Sequence, residues 1–164
     1  MREIVPLISS SVKGPLGICH LPRLWLKILL HASGRLPEGY RHGAGGFDEM
    51  TCTHLGIKAS ELVRFIEGRR PTYLECEEWV RKHAKKLTPE TIAAHNEALV
   101  LWEKSANTAA AQREEIGIAD GSLANAVALN DLEDWSRIYD ALEAHRPKLA
   151  ARTIVPAPPA SGAE

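Results

Sequence analysis

Between residues 21 and 142 apolar side chains return every three or four positions, and the runs are opened or closed by capping residues, prolines and glycines. A period near 3.6 punctuated in this way restricts the chain to packed helices, because strands need alternation with period two and hairpin turns between runs. No such strand pattern is written into the sequence. Pro22 suits the first turn of a helix over 21–33, which Gly34 and Pro37 stop. Asp48 is expected to cap a short second helix through His54, closed by Gly56, and Leu62, Val63 and Ile66 mark a third over 58–67. Thr72-Tyr-Leu-Glu75 reads as a capping box opening a fourth, with Tyr73, Cys76, Trp79, Val80 and His83 on one side.

Thr88-Pro89 repeats the cap-then-proline start, and Ile92, His95, Leu99 and Trp102 share a side of a helix expected to reach at least Lys104, with the alanine-rich 106–115 as its prolongation. A turn region spans 116–124; Asn130-Asp-Leu-Glu133 then caps a last helix carrying Leu132, Trp135, Ile138 and Leu142 and ending before Pro147. The expected fold is all-α: a single compact helical domain of about six helices, with an extended N-terminal arm over 1–17 and a disordered C-terminal tail. Residues 1–87 form its core, 88–146 a helical extension packed on that core, and 147–164 the Pro/Ala-rich tail.

Composition narrows the partners. A hydrophobic content of 45% over 164 residues can bury a core, which excludes wholesale disorder. Twenty Lys and Arg against 21 Asp and Glu give a net charge of -1, without the positive field that phosphate backbones require, so no nucleic acid is expected. The longest apolar stretch, 21–32, is broken by Arg23 and Lys27 and falls short of a membrane span. Residues 1–11 lack the features of a signal peptide, and Cys19, Cys52 and Cys76 are odd in number with no paired spacing. Reduced thiols in the cytoplasm are the natural reading.

The first helix carries the sharpest signal. At about 100° per residue, Leu21, Trp25, Leu26, Ile28, Leu29 and Leu30 fill an arc of roughly 200°, which makes this helix central. His20, Arg23, Lys27 and His31 occupy the remaining sector, with only Leu24 among them. Neighbouring cations at i,i+4 repel unless an anion compensates. Read functionally, the stripe is an anion-binding or catalytic floor: Arg23 offers a planar fork, Lys27 a point charge, and His20 or His31 a group titrating near neutrality. The more economical reading is a solvated face whose Lys and Arg stems cover apolar surface.

Other groups add less. The loop Arg41-His-Gly-Ala-Gly-Gly-Phe-Asp48 could present backbone N–H groups to an anion, but it lacks a phosphate-loop Lys-Ser/Thr pair and a preceding strand. Asp48 and Glu49 could equally answer the stripe from within the chain. Seven histidines and three cysteines show no metal-ligand spacing, so no metal and no cofactor is assigned. Cys19 beside His20 is a poor nucleophile pair, since sequence neighbours seldom face each other. Trp25, Trp79, Trp102 and Trp135, one per expected helix, are assigned to the core.

His20-Leu-Pro-Arg23, Lys27, Gly34-x-Leu36, Tyr40, Asp48 and Leu55-Gly-Ile57 together form a pattern that resembles the bacterial family catalogued as domain of unknown function 5069 (DUF5069). The likeness covers 4–86 with Trp79 late in it, and Leu129-Asn-Asp-Leu-x-x-Trp135 is a weaker echo. It implies a compact helical domain and a bacterial source, and brings no activity. Its H-L-P-R, following lysine and aspartate coincide with His20 to Arg23, Lys27 and Asp48, overlapping the stripe; the Gly43–Gly46 loop and residues 88–130 look like departures from shorter members.

Two readings result. In the first, the domain binds a small anionic ligand, Arg23, Lys27 and His31 holding it, Tyr40 and Asp48 orienting it, and His20 serving as acid or base. In the second, the domain is a non-catalytic protein-interaction module or homodimer. Under the first, Arg23→Ala is expected to abolish ligand-dependent stabilisation while leaving the apo fold within about a kcal/mol.

Overall fold

A computed structural model describes residues 3–119 and 121–144. Seven helices occur among them: α1 Leu21–Ala32, α2 Gly46–Leu55, α3 Ala59–Arg69, α4 Tyr73–His83, α5 Pro89–Val100, α6 Ala106–Glu115 and α7 Ala126–Glu143. The fold is all-α, with only two isolated β-bridges among the described residues. No described helix is long and apolar enough to cross a membrane. The tail expected over 147–164 lies outside the described residues.

Local chemistry accounts for most of the boundaries. Pro22 opens α1, and the Thr72 capping box opens α4, its hydroxyl accepting from the Glu75 N–H while Glu75 accepts from the Thr72 N–H. Thr88 caps α5 ahead of Pro89. From α5 onward three boundaries differ from expectation. Helix α5 ends at Val100 and does not reach Lys104, because the backbone of 102–104 turns to pair with 124–126: the Ala126 N–H donates to the Trp102 carbonyl at 2.9 Å and the Lys104 N–H to that of Ala124 at 2.9 Å. Ser105 then caps α6, so the alanine-rich run is a separate helix and the count is seven. Helix α7 starts at Ala126, capped by Asn125, whose side chain accepts the Ala128 N–H at 3.0 Å; Asn130 lies inside the helix.

Helix α1 is central, packing against α3 and α4, while α2 packs on α3 and α5, and α7 on α5 and α6. Ile18, Leu21, Leu24, Ile28, Leu55, Leu62, Ile66 and Val80 fill the main core together with the free cysteines Cys52 and Cys76. Cys19, Leu99 and Val127 form a smaller cluster under Phe47 and Met50. Trp25 and Trp79 pack on the main core as expected, but Trp102 and Trp135 are 51% and 59% exposed. Trp102 lies beyond the end of α5, and Trp135 sits on an outer face of α7, so helical spacing alone misplaced both.

The N-terminal arm wraps the body without forming a helix. Ile4 N–H donates to the Arg35 carbonyl at 2.8 Å, and Asn96 of α5 clamps the arm twice, accepting the Cys19 N–H at 2.8 Å and donating to the Gly17 carbonyl at 2.7 Å. The Cys19 thiol donates to the Ser11 carbonyl, and desolvation holds its pKa up, the nearby Lys13 charge opposing. It is a packed thiol rather than a nucleophile.

Candidate functional site

Three of the four stripe residues are buried: His20, Arg23 and Lys27 are each less than a tenth exposed. Burying cations in a low-dielectric interior is tolerable only with partners, and the chain supplies them. Lys27 Nζ donates to Asp48 Oδ1 at 2.5 Å, and the same oxygen accepts from His20 Nε2 at 2.7 Å. Asp48 Oδ2 accepts the Gly43 N–H at 2.7 Å. Arg23 takes Asp134 as a two-pronged partner, Nη1 to Oδ2 at 2.5 Å and Nη2 to Oδ1 at 3.1 Å, and its Nη1 also reaches the carbonyls of Pro6 and Ile8. Tyr40 donates its hydroxyl to Asp134 Oδ1 at 2.7 Å, and the Arg137 guanidinium stands 5.0 Å from the Tyr40 ring centre.

The stripe is therefore neutralised by the protein's own acids, Asp48 from α2 and Asp134 from α7. This revises three expectations. Asp48 is not the cap of α2; Gly45 occupies that position, and the carboxylate points back to α1. The Arg23 fork is not free for an external anion. His31 leaves the group altogether: 47% of its side chain is exposed, its Nδ1 meets Glu67 Oε1 at 3.1 Å, and its ring stacks on His42 at 3.5 Å between centres. Glu67 and His42 border a separate hollow between the 42–44 loop and α3, and His42 Nδ1 has no partner among the described residues.

A carboxylate can only accept, so His20 Nε2 carries the proton that faces Asp48, and Nδ1 accepts from the Ser10 hydroxyl at 3.0 Å. Ser10, His20 and Asp48 thus reproduce the order of an acyl-transfer relay. They cannot act as one, because Ser10 is fully buried and borders neither cavity, and Lys27 already occupies the carboxylate oxygen. Desolvation pushes the His20 pKa down to about 4, with Lys27 and Arg23 adding to the effect and Asp48 opposing it. The imidazole is neutral at physiological pH. Burial alone would raise the Asp48 pKa, but the His20 and Lys27 hydrogen bonds and charges hold it below its ordinary value. Desolvation lowers the Lys27 ammonium, with Asp48 working against it.

Above this closed network lies a cleft of about 640 Å³, within the roughly 300–1,000 Å³ range of small-ligand sites. Lys27, Asp48 and Tyr40 reach its floor; the start of α2 and the residues following α5 form its sides. Two further cations line it, Arg41 and Lys104, neither ion-paired to a carboxylate among the described residues. Lys104 Nζ is held by neutral oxygens, those of the Gln112 and Asn130 side chains. Burial lowers its pKa, Glu133 opposing and Arg41 reinforcing, so the two cations feel each other. Glu133 itself is engaged by Gln112 and Arg137. Arg41 lies across Gly45, where an added Cβ would stand 3.2 Å from Nη1; glycine is needed there for that approach and for a φ of +70°.

Arg41, Lys104 and Trp102 were not singled out as site residues in the sequence, and neither was Asp134. Arg41 did fall in the glycine loop flagged for anion contacts, but Lys104 and Asp134 are brought in from 60 to 110 residues downstream with no local signature. Among the described residues no group of three or more His, Cys, Asp or Glu side chains could hold a metal ion.

A family model described as "Domain of unknown function (DUF5069)" matches residues 7–144, most of the chain, and the chain belongs to that family. The match runs through the segment after residue 87 that carries Trp102, Lys104 and Asp134. No curated protein matches the chain.

Proposed function

From membership in a family without an assigned activity, we propose that this domain binds a small anionic metabolite in the cleft between α2, α6 and α7. The observation that carries the reading is the pair Arg41 and Lys104, two cations on one concave surface, neither in a direct ion pair with a carboxylate among the described residues. An anion placed between them would answer both charges at once. Arg23, Lys27, Tyr40 and Asp48 contribute as the polar floor, and His20 as the strut beneath it. Both parts of the chain contribute to the cleft, 1–87 through Lys27, Tyr40, Arg41 and Asp48 and 88–144 through Trp102 and Lys104, so neither part holds the site alone.

A thermal-shift screen of the full chain against phosphorylated and carboxylated metabolites tests the proposal. A ligand present at a hundred times its Kd should stabilise the protein by about 2.7 kcal/mol, several degrees in Tm. Arg41→Ala should remove that shift. Absence of any shift across the screen would contradict the reading.

One observation favours the second reading. Trp135, Tyr139 and Leu142, at i, i+4 and i+7 of α7, are about 60% exposed and form an apolar strip on the outer face. Light scattering decides it: a dimer dispersed by Trp135→Ser with no anion binding would make this domain an interaction module.

A further inference from the structure

Resting on the anion-binding reading above, we infer that the ligand is a phosphomonoester carried on a planar heteroaromatic ring, the chemistry of a nucleoside monophosphate. Trp102 is the reason. It lines the same cleft as Arg41 and Lys104, it is half-exposed, and no other ring among the described residues stacks on it. The backbone that carries Trp102 is pinned on three sides: its N–H donates to the Leu99 carbonyl, its carbonyl accepts from the Ala126 N–H, and the Lys104 N–H two residues on donates to the Ala124 carbonyl. The indole is thus a fixed platform whose position is paid for by backbone pairing with the start of α7.

The charges select the other end of the ligand. Arg41 and Lys104 offer two cationic contacts in a cleft that Glu115 and Glu133 also line, and a phosphomonoester, with three acceptor oxygens and nearly two negative charges near pH 7, can engage both cations at once. Ser105 and Thr108, at the start of α6, also line the cleft; their hydroxyls hydrogen-bond each other at 2.8 Å while Ser105 caps the helix, which leaves remaining hydroxyl capacity for the polar edge of a stacked heterocycle. Phe47 and Met50 provide apolar surface opposite. A ring on Trp102 and a phosphate between Arg41 and Lys104 would together use both features of the wall, and stacking of a base on an aromatic side chain contributes enough to dominate selectivity.

Calorimetric titration of the full chain with AMP, adenosine, ribose 5-phosphate and inorganic phosphate separates the possibilities. AMP should bind at least tenfold tighter than ribose 5-phosphate, and adenosine weakly. Trp102→Ala should weaken AMP about tenfold while leaving ribose 5-phosphate unchanged; Trp102→Phe should restore most of the difference. Equal binding of AMP and ribose 5-phosphate, or indifference of AMP to Trp102→Ala, would overturn the ring platform while leaving the anion cleft standing. Failure of every phosphate-bearing compound to bind would overturn both.

Discussion

The floor and the wall of the cleft carry the same kind of side chains and have opposite electrostatic fates. On the floor, Arg23 and Lys27 are buried and matched by Asp134 and Asp48, with His20 kept neutral between Ser10 and Asp48. On the wall, Arg41 and Lys104 line the cleft without a direct carboxylate partner among the described residues, Lys104 being held by the neutral oxygens of Gln112 and Asn130. The contrast teaches that a row of cations on a helix signals a demand for anions, not who supplies them. Burial sharpens the demand until the chain must meet it from within, whereas half-exposed cations can wait for a ligand.

The largest effect that could break this contrast is at Arg23. Arg23→Ala leaves Asp134 buried with the Tyr40 hydroxyl but without its cationic partner and should cost about 3–5 kcal/mol in denaturant unfolding, well above the kcal/mol anticipated from sequence. Replacing both residues, Arg23→Met with Asp134→Leu, should recover most of that loss. A mild effect of Arg23→Ala would mean the floor is not tightly paired.

Gly43→Ala comes next. At a φ of +89° its new Cβ would lie 2.2 Å from Val63 Cγ2, and the strain would disturb the N–H that Asp48 accepts. A loss of about 1–3 kcal/mol is expected from the backbone term alone, and Asp48 would be less well held.

The floor should also report itself in acid. His20, with a folded pKa of about 4 against an ordinary 6.5, takes up its proton more readily when the chain unfolds. Its contribution to stability is complete above pH 6.5 and is lost as pH falls from there towards 4, with a slope of about 1.4 kcal/mol per pH unit. Asp48, held below its ordinary value, loses its share at still lower pH. His20→Asn, whose side chain tolerates the left-handed backbone at φ 69°, should reduce that slope. It should not abolish it, because desolvation also holds the His95 pKa down. An unchanged slope would place the titration elsewhere.

The smallest effect on stability is the most informative about the wall. Arg41 is exposed, and Arg41→Ala should alter unfolding by no more than about 0.5 kcal/mol while removing anion-dependent stabilisation. A large loss of apo stability would make Arg41 another strut.

The helices were legible because their signals are local: Pro22, the Thr72-to-Glu75 box and Thr88-Pro89 each satisfy backbone groups within one turn. Where a boundary depended on distant pairing, as at Trp102 and Lys104 against 124–126, periodicity carried the helix too far. The candidate site divides in the same way. His20, Arg23, Lys27, Tyr40 and Asp48 do converge, and helical geometry on α1 was enough to group the first three. Their saturation was not legible, since Asp134 lies 111 residues from Arg23 on a helix whose start was itself misplaced. Trp102 had the spacing of a core residue and lost that place because its helix stops two residues earlier.

Side-chain NMR of arginine Nε–H and lysine Nζ groups during titration with phenyl phosphate tests the distinction between floor and wall most directly. The Arg41 and Lys104 signals should move together in a saturable way while those of Arg23 and Lys27 stay in place. Movement of Arg23 and Lys27 with Arg41 and Lys104 unaffected would contradict the assignment and return the anion to the floor.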